Sequence, residues 1–338
     1  MTDKAGETSY PQRAIAARAP RTQTLVVRAL LCLVAVLALI CFAHERARLS
    51  SAQQQCVADT YNAAKLLETG SAANARTPAD ASTTPAAAAA VPAEIKIVSY
   101  NMRWRGGEEL RAITKLLRND PSIGGADILG LQEVDRGRKR SGNVDAARQM
   151  AEELGWNYAW AAPPSDGTKQ GDREAGEDET GVAILSRHPL AEVTRLVLPN
   201  AGPDCRRRAA IGATVQIGKA SVRVYSVHAE TRLPIERKVE QWRAILADID
   251  AHKDAARVVV LGDFNTIKEK DVAAARKLFT GAGFSTPFPD NETTWETFVV
   301  TLKLDWLWLR GLQPASHGID RRVTYSDHFP LWITAKLP

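Results

Sequence analysis

The chain has 338 residues, 45% of them hydrophobic and 25% charged, which is the balance of a folded globular protein with room for one large domain or two small ones. Its formal net charge is +5, but the larger share of that excess falls in the first 93 residues, so the main body is near neutral and bulk charge gives no argument for a nucleic-acid partner. Cys32, Cys41, Cys56 and Cys205 show no CxxC or Cys/His spacing, so the sequence carries no zinc signature. A Cys56–Cys205 disulfide is conceivable in an oxidising compartment, though a linker cysteine seldom meets the required geometry.

Residues 1–24 are polar and carry Pro and Arg, and read as a disordered tail. Next comes LVVRALLCLVAVLALICFA, residues 25–43, whose single charge is Arg28. At ~1.5 Å per residue such a helix nearly spans a hydrocarbon core of ~30 Å, and Arg28 can snorkel to the headgroups. The run is expected to be a transmembrane anchor; a signal peptide cleaved after Ala43 is the rival reading, weakened by the long polar stretch in front. Arg13, Arg18, Arg21 and Arg28 against Arg46 and Arg48 place the N-terminus in the cytoplasm and the main body on the periplasmic or extracellular side of a single-pass membrane protein. Residues 44–93, Ala/Pro-rich from 70 onward, read as a linker.

The texture changes at the start of a domain spanning 94–338. Strands are expected at 95–101, 126–133, 179–186, 210–217, 221–228, 257–263, 304–309 and 330–337. Helical spacing appears at Leu110, Ile113, Leu116 and Leu117, again from Val144 to Leu154, and again from Val239 to Ile249, with Pro234 near its start. Several strands follow one another directly, so the class is mixed α/β with hairpins. Trp156, Trp160, Trp306, Trp308 and Trp332 suit strand or core positions, whereas Trp104 and Trp295 are expected nearer the surface.

Many of these strands end in groups suited to metal or proton chemistry: Asn101, Gln132 with Glu133, His228, and Asp263 with Asn265. Asp305 opens the next strand, and Asp327 and His328 precede the last. Each has an ordinary alternative. Asn101 suits a turn cap, Glu133 a solvated strand end, Asp263–Asn265 an Asx turn, and His228 a satisfied core histidine. Their repetition at strand ends in one domain favours a common site.

The series SYN, LQEVD, GVAILS, VH, LGDFN, LDW and SDH, in that order from about Ile95 to Leu337, resembles the endonuclease/exonuclease/phosphatase family, whose members include deoxyribonucleases, sphingomyelinases and inositol phosphatases. The resemblance implies a four-layer α/β sandwich: two mixed β-sheets packed face to face, helices outside, and the site at one rim. It implies a metal held chiefly by Glu133, with Asn101 on the metal or on a phosphate oxygen and Asp327 as a further contact. Asp263 would orient or deprotonate the attacking water, and Asn265 would bind phosphoryl oxygens. His328 would bind phosphate or act as acid/base, its tautomer held by Asp305 or Asp327, and His228 would act opposite it. Arg103 and Arg207 would contact substrate; each is equally a plain surface arginine. Mg²⁺ is the expected cofactor, since a hard cation with carboxylate and water ligands offsets phosphate charge, and Mn²⁺ or Ca²⁺ would also suit oxygen ligands.

Two departures stand out. Val182 occupies a position where the family often carries Asn, and Ala229–Glu230 replace the usual Leu and polar residue after the histidine. The acidic, Gly-rich loop at 163–180 would repel an extended polyanion. Together these point to a membrane-tethered, monomeric Mg²⁺-dependent phosphodiesterase whose phosphate-ester substrate is nucleic acid or a phospholipid headgroup. The alternatives are a binding module that keeps the fold without catalysis, and a soluble secreted nuclease.

Overall fold

Side chains alternate faces along a strand, so an unbroken apolar run fits a strand covered on both sides. The run IKIV lies in β2 (Glu94–Asn101), where Ile95 and Ile97 join one buried cluster while Val98 and Tyr100 join another. The run VVVL does the same in β9 (Val258–Asp263), with Val259 and Leu261 on one side and Val258 and Val260 on the other. Both are interior strands of the two sheets of a computed structural model, which describes residues 66–71, 91–164, 179–202 and 206–337.

The first sheet has seven strands: β1 (Leu67–Gly70), β4 (Asn157–Ala161), β5 (Glu179–Ser186), β3 (Ile128–Arg136), β2, β14 (Leu331–Lys336) and β13 (Gln313–Ile319), in that spatial order. The second has five: β12 (Asp305–Arg310), β9, β8 (Ala220–His228), β7 (Ala209–Ile217) and β6 (Leu190–Val197). A two-stranded hairpin, β10 (Trp295–Glu296) and β11 (Thr301–Leu302), stands apart. Each sheet is mixed: β2–β3 and β8–β9 run parallel, and the other pairs run antiparallel.

Ile95, Ile97, Ile128 and Ile184 of one sheet pack against Ile211, Val224, Val259, Leu261 and Leu307 of the other. Gly130 makes the approach possible, because a Cβ there would lie 1.9 Å from the Leu261 side chain. Helices α1 (Gly107–Asn119) and α2 (Ala146–Leu154) cover the outer face of the first sheet, and α3 (Ile235–Ala251) and α4 (Glu269–Gly281) cover that of the second. The expected four-layer α/β sandwich is the observed one.

Strands β1, β4, β6, β10, β11 and β13 and helix α4 were not expected from the pattern. Strand β1 also corrects the linker reading of 44–93, because Leu67–Gly70 pairs antiparallel with Tyr158–Ala161. Leu66 is fully buried, and Glu68 accepts from Arg136 at 3.1 Å and Tyr158 at 2.5 Å and bonds Arg148 as well. The apolar run at 25–43, both Cys56 and Cys205, and most of the acidic loop lie outside the described residues. Among the described residues no helix is long and apolar enough to cross a membrane.

Candidate active site

Two parallel strand pairs build the site, one in each sheet. In β2–β3 the register sets Asn101 beside Gln132, and in β8–β9 it sets His228 beside Asp263. Parallel neighbours finish at the same edge, so their C-terminal residues share a rim where connecting loops begin. Strand β12 runs the other way and starts there, setting Asp305 opposite Asp263.

The GDFN turn is held by its own backbone. Gly262 has φ 125°, and a Cβ would sit 2.2 Å from the Val227 carbonyl, so only glycine fits. Asp263 Oδ1 accepts from the Asn265 backbone N–H at 2.9 Å, which is the Asx turn that its composition suggested. Asn265 sits at φ 53°; its Nδ2 donates to the Ala229 carbonyl at 2.9 Å, and its own carbonyl accepts from Lys238 Nζ at 2.7 Å. Half of its amide is thus committed to stitching the turn to β8. The turn leaves Asp263 Oδ2 aimed into the site.

That oxygen is the hub. It accepts from Asn101 Nδ2 at 3.1 Å and lies 3.5 Å from His228 Nε2 and 3.8 Å from His328 Nε2. Asn101 is oriented because its Oδ1 accepts from the Arg103 N–H at 3.1 Å. His328 Nδ1 lies 2.9 Å from Asp305 Oδ2, so Asp305 rather than Asp327 fixes the ring and Nε2 faces Asn101 and Asp263. Burial opposes charge on His328, but Asp305, Asp263 and Asp327 outweigh it and raise its pKa to about 9. Burial pushes Asp263 up to about 7, with His328 pulling down and Asp305 and Glu133 pushing further up.

His228 behaves differently. Arg208 Nη1 lies 3.3 Å from its Nδ1, and a guanidinium only donates, so Nδ1 is the acceptor and Nε2 carries the proton. Burial, then the charges of Arg208, His328 and Arg206, hold its pKa well below the usual value. His228 is a fixed neutral donor aimed at Asp263 and, at 3.9 Å, Glu133 Oε1.

Glu133 owes its position to a bulge. The β3–β5 register shifts between Gln132 and Val134, and Glu133 takes φ 54°, turning its side chain from the pleat toward the site. Its Oε2 is buried with no hydrogen-bond partner among the described residues. An orphaned carboxylate oxygen beside this cluster of polar groups fits a hard divalent cation. Asp263, Asp305 and His328 also bring three ligand atoms within 4.8 Å of one another. In that set Asp305 and His328 already satisfy each other, so it reads first as a proton relay.

Of the other expected residues, Asp327 lies at the rim, 3.3 Å from Arg103 Nη1 and 3.3 Å from Ser326 Oγ. Arg207 is half-buried, but its neighbours make the contacts: Arg206 and Arg208 bind the buried Glu230 carboxylate at 2.8 and 3.0 Å. Burial opposes the charge of Glu230, and the two guanidiniums more than offset it, so its pKa is lowered. Of the RRR triplet sequence reasoning chose Arg207, whereas Arg206 and Arg208 make the contacts; Glu230, noted only as a departure two positions past His228, is their partner. Gln132 Nε2 donates to Ser226 Oγ at 3.0 Å and ties the two sheets together beneath the site. Val182 is buried in the inter-sheet core, so an aliphatic side chain suits that position.

The sequence profile of the Endonuclease/Exonuclease/phosphatase family matches residues 98–328. No curated protein sequence matches the chain. Among solved structures, the fold is similar to an endonuclease/exonuclease/phosphatase from Beutenbergia cavernae, with TM-score 0.57 and 18% identity over 73% of this chain and 72% of that one. It is similar also to the human Nocturnin catalytic domain with bound sulfate, with TM-score 0.53 and 18% identity over 73% and 96% of the two chains. A third is ANGEL2, a 2′,3′-cyclic phosphatase in complex with adenosine-2′,3′-vanadate, with TM-score 0.52 and 17% identity over 72% and 96%. At these identities the likeness is one of fold. The family profile covers well over half of the chain, and the motif residues it spans meet at one rim of the sandwich; the chain belongs to the endonuclease/exonuclease/phosphatase family.

Proposed function

We propose that the protein is a membrane-tethered, Mg²⁺-dependent phosphodiesterase. The observation that carries the reading is the cluster around Asp263 Oδ2: a carboxylate raised toward neutrality, flanked by a fixed neutral histidine, a cationic histidine and an oriented amide. A base titrating near neutral pH suits proton removal from water. Asp263 takes that proton as the water oxygen forms a new P–O bond and the ester P–O bond breaks. His328, held by Asp305 and charged at neutral pH, binds a phosphoryl oxygen and can return a proton to the leaving oxygen. His228 Nε2 and Asn101 Nδ2 donate to oxygens that gain charge in the transition state. Glu133, with Asn101 beside it, would hold the metal; bound there, a divalent cation neutralises phosphate charge and polarises the P–O bond. Nucleic acid and phospholipid headgroups both present such an ester. Tethering through residues 25–43, with the catalytic domain outside the cytoplasm, follows from the apolar run and its flanking arginines.

The test uses the full chain in detergent, assayed on plasmid, oligonucleotide, phospholipid vesicles and bis(p-nitrophenyl) phosphate with Mg²⁺ or EDTA. Mg²⁺-dependent turnover that falls about 10²–10⁴-fold in His328→Ala is expected. Turnover that ignores both EDTA and this substitution defeats the mechanism. Turnover of none of these esters would favour the non-catalytic reading.

A further inference from the structure

Five large apolar side chains are exposed among the described residues, and three of them are consecutive: Phe298, Val299 and Val300 at 103, 81 and 44% exposure. They form the tip of the β10–β11 hairpin. The Thr297 N–H donates to the Val300 carbonyl at 2.9 Å and closes the turn, so the apolar groups stand on a closed turn, not a slack loop. No charged residue lies between Glu296 and Lys303.

The foot of the hairpin is built into the active site. Trp295 pairs with His328 across an isolated bridge, their rings edge to face at 6.5 Å. The Glu296 N–H donates to the Asp327 carbonyl at 2.8 Å, and Phe329 N–H donates to the Thr294 carbonyl at 2.8 Å. Thr294 Oγ1 accepts from the Asp305 N–H at 2.9 Å. The tip is three or four residues from Trp295, so it reaches about 10–13 Å beyond the His328 segment.

We infer that the hairpin is a bilayer-insertion element that sets the site at the height of phospholipid phosphates, and that the substrate is therefore a lipid headgroup ester. Interfacial elements bury their apolar face about 5–10 Å into the headgroup/acyl boundary, which matches the reach of this arm. A nucleic-acid contact at this place would call for Lys or Arg, and the tip has neither. An exposed apolar patch beside a site marks a partner surface, and the chain itself supplies a reason for that surface to be lipid: the apolar run ends at residue 43 and the first strand begins at Leu67. The inference rests on the phosphodiesterase reading for its substrate, while insertion itself can be tested without turnover.

Full-length chain is reconstituted in phosphatidylcholine vesicles with and without bromines on the acyl chains. Phe298→Trp adds a reporter to the eight native tryptophans. Extra quenching of that variant by brominated lipid, relative to the unsubstituted chain, is expected; equal fractional quenching of the two overturns insertion even if the enzyme is active. Turnover is then compared for Phe298→Asp/Val299→Asp. Hydrolysis of vesicle phospholipid is expected to fall about tenfold or more while soluble bis(p-nitrophenyl) phosphate stays within about twofold. An equal fall on both substrates shows that the hairpin merely supports the site, and no fall on either removes its role; both overturn the proposal. Quenching without hydrolysis of any ester would keep the insertion and discard the phosphodiesterase.

Discussion

The two sheets meet at the same rim but furnish it differently. The five-stranded sheet gives most of a braced half: Asp305 holds the ring of His328, which arrives on the β13–β14 connection of the other sheet and faces Asp263, and Arg208 fixes the tautomer of His228. The seven-stranded sheet gives Asn101, which joins that network, and Glu133, which does not; Glu133 Oε2 has no hydrogen-bond partner among the described residues and its backbone holds a left-handed conformation. A polar group without a partner is costly when buried, and it persists where something outside the chain completes it. On the proposed function the braced half would move protons and the open half would receive the metal.

The largest effect that would separate the halves is expected from Asp263→Asn. It keeps the shape and removes the base, so turnover of a soluble phosphodiester should drop about 10²–10⁴-fold. Mg²⁺ affinity measured by calorimetry should change far less, and an equal loss of both would merge the two halves into one. Glu133→Gln should do the reverse: Mg²⁺ binding weakens about 10–100-fold, and activity returns in part at high Mg²⁺. Unchanged Mg²⁺ binding would move the metal elsewhere, with the Asp263–Asp305–His328 set next in line.

A pH series sharpens the braced half. Asp263 and His328 are both raised, to about 7 and about 9, so in each case the folded state holds a proton that the unfolded state has lost. Without divalent metal, stability should therefore fall as pH rises through the Asp263 value. It should continue to fall from the ordinary histidine value of ~6.5 up to about 9, with the His328 part on the order of 3 kcal/mol. Asp305→Asn should flatten the alkaline part of a melting-temperature series, and an unaltered slope would mean that Asp305 is not what holds the His328 proton. The smallest effect is expected from Arg208→Gln. Burial still holds the His228 pKa down, but with the Arg208 charge gone it should rise in part, moving the acid limb of the rate profile to higher pH, with about a tenfold fall in rate at most. An unmoved acid limb would show that His228 needs no such clamp.

Much of the braced half was legible in the sequence, because buried strands leave unbroken apolar runs and VVVLGD and VYSVH end abruptly in polar groups. Legibility failed where a residue's role depends on a distant partner. RRR announces cations, but only the fold shows that Arg206 and Arg208 converge on Glu230. The bulge that turns Glu133 inward leaves no mark in LQEVD. Strand β13, QPASHGI, lies at a sheet edge with mostly exposed side chains, so nothing enforces an alternating pattern. Helix α4 buries Ala275 and Phe279 within an Ala-rich stretch that reads as almost neutral. FVV was an unremarked apolar triplet until the fold set it on the exposed tip of a hairpin whose foot, Trp295, bridges His328.

The edge strand β1 carries a practical lesson about trimming the protein. A cut at the compositional boundary near residue 94 would remove Leu66 from the buried cluster and strip β4 of its neighbour. Arg136, Arg148 and Tyr158 would lose Glu68 together, and the bare edge of β4 would be open to pairing with other chains. A soluble fragment that keeps its solubility should begin ahead of Leu66.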